Sequence, residues 1–255
     1  MQRFILSFSL TTLVAALVPN VSAQNSQDAL HAPDGNSFAR IVSIFIAPIP
    51  NAPFTATVST EWTRQTSDGA TIVVKNHRMV ARDSQGQVFE ERRRFVPADS
   101  NAQSLLFQMD YVDPVRHTRT VCLPPSLTCD VGNFFEPVST STIPLGPMAD
   151  GKHYLGREDL GKGETEGLET IGTRETITTN PGTLGNDREV TLTKEFWYSP
   201  QLGVNVPVKR MDPLQGTQVF TVSDISLAEP DARLFVIPAK YKVMDDRASA
   251  PAPAK

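Results

Sequence analysis

The sequence predicts an antiparallel all-β protein with little helix. Three observations carry that expectation. Apolar and polar residues alternate with period two in one run after another. Turn signals separate those runs at short intervals. Pro, at 20 residues, outnumbers Gly at 15, a mixture that suits sheets with rigid connections better than long helices. With 255 residues, 40% hydrophobic and 20% charged, the composition is that of a globular chain able to bury a core. The net charge of −4 offers no general attraction to phosphate backbones, so nucleic acid is not an expected partner.

The first 23 residues read as an export signal. Arg3 supplies the positive start, Phe4 to Val18 the apolar core, and Val21-Ser22-Ala23 the small-residue cleavage site, with the cut between Ala23 and Gln24. The run is too short and too diluted by Ser7, Ser9, Thr11 and Thr12 for a membrane span. The expectation is a soluble, periplasmic or secreted protein with no transmembrane span after cleavage.

Residues 24–50 read as a flexible lead in which Phe38 to Ile46 forms a short helix or a first strand, ended by Pro48 and Pro50. A single β domain is expected over 51–243. In its first run Phe54, Ala56, Val58 and Trp62 alternate with Thr55, Thr57, Ser59, Glu61 and Thr63. Ser67-Asp68-Gly69 turns the chain into a second run, Ala70 to Arg82, and Asp83 to Gly86 turns it into a third, Gln87 to Val96. Leu105, Phe107, Met109 and Tyr111 alternate again, and Asp113-Pro114 leads into Val115–Cys122. A Pro-, Gly-, Ser- and Thr-rich stretch over 128–152 reads as a long loop. Further strands are expected at 168–179, at 189–198 (Val190, Leu192, Phe196 and Tyr198 on one face), at 204–208 and at 218–227. One helical turn at 230–233 precedes a last run over 234–243, and 244–255 reads as a disordered tail.

Cys122 and Cys129 bracket a short loop bent by Pro124 and Pro125, and in an oxidising compartment they are expected to form a disulfide. No metal, cofactor or catalytic constellation is indicated. The four histidines are scattered, and G-x-S-x-G and H-E-x-x-H are absent from the sequence. Gly156 to Lys162 has phosphate-loop spacing, but Gly163 replaces the Ser or Thr that holds magnesium, and Glu158 and Asp159 would repel a phosphate. A non-enzymatic module is therefore expected.

If Arg82 lies opposite Gln87, the hairpin sets Arg78 against Glu91 and Asn76 against Arg93. That arrangement is either a cross-strand charge ladder, each pair worth about 0.2–1 kcal/mol, or a polar girdle for an anionic head group. Arg78, Glu91 and Arg93 are the candidate head-group residues. Phe54, Val58, Trp62, Val190, Leu192 and Phe196 are the candidate apolar lining. With few residues of helical periodicity to cover it, the sheet must curl over itself, pack against a second sheet, or keep a concavity for a ligand.

The block Lys194-Glu-Phe-Trp-Tyr-Ser-Pro-Gln-Leu-Gly203, the turn Asp212 to Gly216, the segment Phe220 to Ile225 and the closing Glu229 to Pro238 resemble the C-terminal half of the lipoprotein-carrier (Lol-type) superfamily. Asn51 to Val58, Asn76-His-Arg and Glu90-Glu-Arg-Arg resemble an uncharacterised family of exported bacterial proteins. The first resemblance implies a curved, incompletely closed sheet, a half-barrel, whose concave side accepts acyl chains. Two partners follow as expectations: a lipid or other amphiphile held in the concave sheet, or an envelope protein contacted by a structural module with no small-molecule ligand.

Overall fold

The computed structural model describes residues 34–35, 43–137, 142–245 and 247. The export signal with its Ala23–Gln24 junction, most of the expected lead and the last eight residues of the tail lie outside the described residues.

The chain is all-β, as its alternation predicts, and its strands form one mainly antiparallel sheet that does not close into a barrel. The first meander contains β3 (Phe54–Gln65), β4 (Thr71–Arg82), β5 (Val88–Arg93), β7 (Leu106–Asp113), β8 (Thr118–Leu123) and β9 (Thr128–Asn133), with the short β6 (Val96–Pro97) beside β4. The second contains β10 (Gly146–Pro147), β11 (His153–Thr165), β12 (Leu168–Thr179), β13 (Val190–Ser199), β14 (Val204–Asp212) and β15 (Gly216–Ser226). Pairing of β15 with β3, Val222 opposite Val58, joins the two meanders. β1 (Asp34–Gly35) and β2 (Ser43–Ile44) form a separate two-stranded pair.

Two segments cover the sheet, one on each face. Ile44, Ile46 and Ala47 are buried against Phe54, Val58, Val80, Val88, Phe196, Leu202, Val208 and Phe220, on the face we term inner. The segment expected as part of a flexible lead is thus part of the core here, because its apolar residues at 44 and 46 share one side of an extended chain. Arg82 fastens it. Its guanidinium donates to the carbonyls of Ala47 (2.7 Å), Ala52 (2.9 Å) and Leu202 (2.6 Å). Leu202 follows β13, and β14 is three ladder steps from β4, about 14 Å in a flat sheet. That one side chain spans the gap shows the inner face closing on itself.

The opposite, outer face of β4, β5, β7, β8 and β9 is covered by the C-terminal segment. Asp231 accepts from the Arg233 amide (2.9 Å) and starts a 3-10 turn at Ala232–Phe235. Leu234, Phe235, Ile237 and Tyr241 then pack on Ala81, Phe89, Met109, Tyr111 and the disulfide. The expected strand over 234–243 is replaced by this cover, and a short β16 (Lys242–Asp245) adds in parallel to β9. The expected loop over 128–152 also contains β9 and β10. Cys129 lies directly opposite Cys122, so the covalent pair places the chain in the sheet from Thr128 onward.

Candidate functional site

The hairpin between β4 and β5 determines which charges share a face. Asp83 Oδ1 accepts from the amides of Gln85 (3.0 Å) and Gln87 (2.7 Å), and the Asp83 amide donates to Gln87 O (3.0 Å). Three residues, Ser84 to Gly86, therefore make the turn, with Gly86 at φ +82°. Arg82 pairs with Val88 and Val80 with Glu90. The expected register, Arg82 opposite Gln87, is one residue out, and one residue moves every side chain to the other face.

The candidate head-group residues are consequently separated. Arg78 is on the inner face, buried, with Nη1 on Glu90 (2.7 Å) and Nη2 on Ile44 O (3.0 Å). Glu91 and Arg93 are on the outer face and bind each other at 2.8 and 3.1 Å, while Arg93 Nη1 reaches Ser104 O (3.0 Å) and Glu91 accepts from the Met79 amide.

In their place the inner face carries a network that sequence reasoning missed. Arg78, Glu90, Arg92, Asp110 and Arg119 run across β4, β5, β7 and β8. Arg92 Nε meets Asp110 Oδ2 at 2.9 Å, and Arg119 Nη2 meets Asp110 Oδ1 at 2.6 Å. Gln108 adds a third donor to Asp110. Burial alone would raise the Asp110 carboxyl, but Arg92 and Arg119 override it and hold it below the ordinary carboxylate range. The signal was present in the spacing. Arg78, Glu90, Arg92 and Asp110 each fall in phase with inward apolar residues of their own strand, and only the turn length hid their alignment.

The candidate apolar lining divides in two. Phe54, Val58 and Phe196 are fully buried and Trp62 nearly so, all packed as core. Val190 and Leu192 are half-buried. Leu192 lies opposite Ile177, also half-buried, and Ile177 lies opposite the buried Leu155. One step along the strands comes a polar row: Glu175 opposite Arg157 and Lys194, and Lys194 opposite Arg210, which faces Gln218. Arg157 binds Glu175 (2.9 Å) and Arg210 binds Asp212 (2.9 Å), while Arg210 Nε is buried without a hydrogen-bond partner among the described residues. At its β11–β14 end, then, the inner face sets a half-open apolar strip directly beside cations. Among the described residues no group of three or more His, Cys, Asp or Glu is arranged to hold a metal ion. Nor is any helix there long and apolar enough to cross a membrane.

No family model matches the sequence, and no curated protein matches it. Several solved structures are similar to it. An uncharacterised conserved protein of Thermus thermophilus covers 76% of this chain and 91% of its own, with 9% identity and a TM-score of 0.38. The MucA/MucB complex of Pseudomonas aeruginosa matches over 75% of this chain at 13% identity, TM-score 0.38, and this chain spans 58% of the matched one. A LolA superfamily protein of Nitrosomonas europaea covers 74% of this chain and 91% of its own, with 13% identity and a TM-score of 0.28.

Proposed function

We propose that this chain is a non-enzymatic binding module of the cell envelope, exported to the periplasm or secreted. It holds an amphiphile at the β11–β14 end of the inner face. The observation that supports this reading is the half-open strip of Ile177, Val190 and Leu192 lying one residue pair from Lys194 and Arg210. An acyl chain buries against the first group while an anionic head group meets the second. The middle of the sheet takes no part, because Phe54, Val58 and Phe196 are already packed by the chain itself. Arg78 contributes only by bracing Glu90 and the 44–47 segment, and Glu91 and Arg93 lie on the other face.

The test is thermal melting of the mature protein with dodecyl phosphate and with lysophospholipids. A native-state ligand raises the midpoint progressively with concentration. Leu192→Asp is expected to abolish that rise while the unliganded protein still melts cooperatively. No rise with any probe sinks the reading.

One observation favours a second reading, an envelope protein-interaction module. Among the described residues β10 pairs with β11 only at Tyr154 and Leu155, so there the rest of the thirteen-residue β11 presents an open edge to which a partner strand can add. The charges of Glu158, Asp159 and Lys162 and the bulge between Asp159 and Gly161 weigh against it, because they protect such an edge.

A further inference from the structure

On the outer face, away from the amphiphile strip, β15, β3 and β4 and the loop from Val96 to Ser104 enclose a cleft of about 580 Å³. Its floor is fixed by register. Val219 lies beside Glu61 and Glu61 beside Lys75 in one row, and Thr221 beside Ser59 and Ser59 beside His77 in the next. Asn101 stands on the loop wall. Many of the sheet's other charged side chains are paired, as in Arg93–Glu91 on this same face. Here Ser59, Glu61, Lys75, His77, Asn101 and Thr221 line one cleft, and none of these side chains makes a hydrogen bond or ion pair with another described residue.

The groups specify a chemistry. Lys75 and His77, two residues apart on one face of β4, present donors beside the hydroxyls of Ser59 and Thr221 and the amide of Asn101. Five donor-bearing groups exceed what the two oxygens of a carboxylate use, and suit the three acceptor oxygens of a phosphate ester. A purely anionic ligand would, however, meet Glu61 on the adjoining strand, directly opposite Lys75. Cross-strand partners stand about 5 Å apart at Cβ, so Glu61 is placed to take a cation close to the phosphate. We propose that this cleft binds a zwitterionic phosphate ester, with the phosphate on Lys75 and His77 and a primary ammonium, two carbons away, on Glu61. A phosphoethanolamine group has that layout, either as a free ester or as the head group of a lipid.

The full mature chain is titrated calorimetrically with O-phosphoethanolamine and with glycerol 3-phosphate, which lacks the ammonium. O-phosphoethanolamine is expected to bind saturably and roughly tenfold more tightly, the difference one charge-assisted contact supplies. Glu61→Gln should erase that preference, and Lys75→Gln should weaken both probes. All are surface changes, checked by an unshifted melting midpoint. Co-sedimentation with phosphatidylethanolamine vesicles, against phosphatidylcholine vesicles whose quaternary ammonium donates no hydrogen bond, separates the sources. Binding to the vesicles identifies a lipid head group, and binding to the free ester alone identifies a soluble one. Equal affinity for the two phosphates in both wild type and Glu61→Gln overturns the zwitterion assignment. Failure to bind either phosphate or the vesicles overturns the site.

Discussion

Arg82 is a charge withdrawn from water and satisfied by carbonyls, with no carboxylate within ion-pair distance among the described residues. Burial pulls its pKa down to about 10, still far above neutrality, so the guanidinium remains charged. Its planar fork meets Ala47, Ala52 and Leu202 at once and lies 5.0 Å from the Phe54 ring centroid, which no lysine can reproduce. Removing it leaves three carbonyls without this donor and releases the 44–47 segment. Arg82→Met should therefore cost about 3–5 kcal/mol in a denaturant titration. A loss below about 1 kcal/mol would mean that water or a neighbour replaces the guanidinium. Trp197 shows the same dependence on a single position in another form. It lies over Gly163 and Gly172, where an added Cβ would approach its ring to 2.6 and 2.9 Å.

At the scale of elements, the β8–β9 hairpin is joined by a buried disulfide between directly opposed residues, Cys122 and Cys129. With a sequence separation of seven, the loop-closure entropy removed from the unfolded chain is worth about 2–3 kcal/mol. The unreduced, denatured protein should show no thiol to a maleimide reagent, and Cys122→Ala/Cys129→Ala should lower stability by that amount. Two labelled thiols in the unreduced protein would refute the bridge. This hairpin was half legible, since the cysteines announced the staple while the Pro- and Gly-rich run after them masked β9. Strands with plain alternation, β3, β7 and β13 among them, could be read because one face of each is apolar. β11 could not, because Gly156, Gly161 and Gly163 suggest a loop, and two of these are small for reasons of packing. Gly163 lies under Trp197, and a Cβ at Gly156 would fall 2.5 Å from Thr176 Oγ1. Register was the costliest omission. A register one residue away from the expected one put Glu91 and Arg93 on the outer face and brought Glu90 beside Arg78.

For the molecule as a whole, the balance of the two faces makes stability depend on pH through Asp110. The inner face of the first meander is held by Arg78, Glu90, Arg92, Asp110 and Arg119, and Asp110 takes donors from three different side chains. Its folded-state pKa is depressed, against about 3.9 in an unfolded chain. The folded state therefore binds its proton less readily than the unfolded state does. The stabilisation is fully present above the unfolded value and is lost as pH falls through the folded one. Asp83 acts in the opposite sense. Burial raises its pKa, so protonation near and above pH 4 relieves a cost instead of removing a contact. Urea midpoints measured from pH 7 to pH 2 should hold steady to about pH 4 and then drop. Asp110→Asn should be less stable at pH 7 by about 3–5 kcal/mol, since it leaves Arg92 and Arg119 facing an uncharged amide. It should also lose most of the acid-side slope. An Asp110→Asn protein that keeps the wild-type slope below pH 4 would transfer the acid sensitivity to the other carboxylates, leaving the network a packing feature without a role in the pH response.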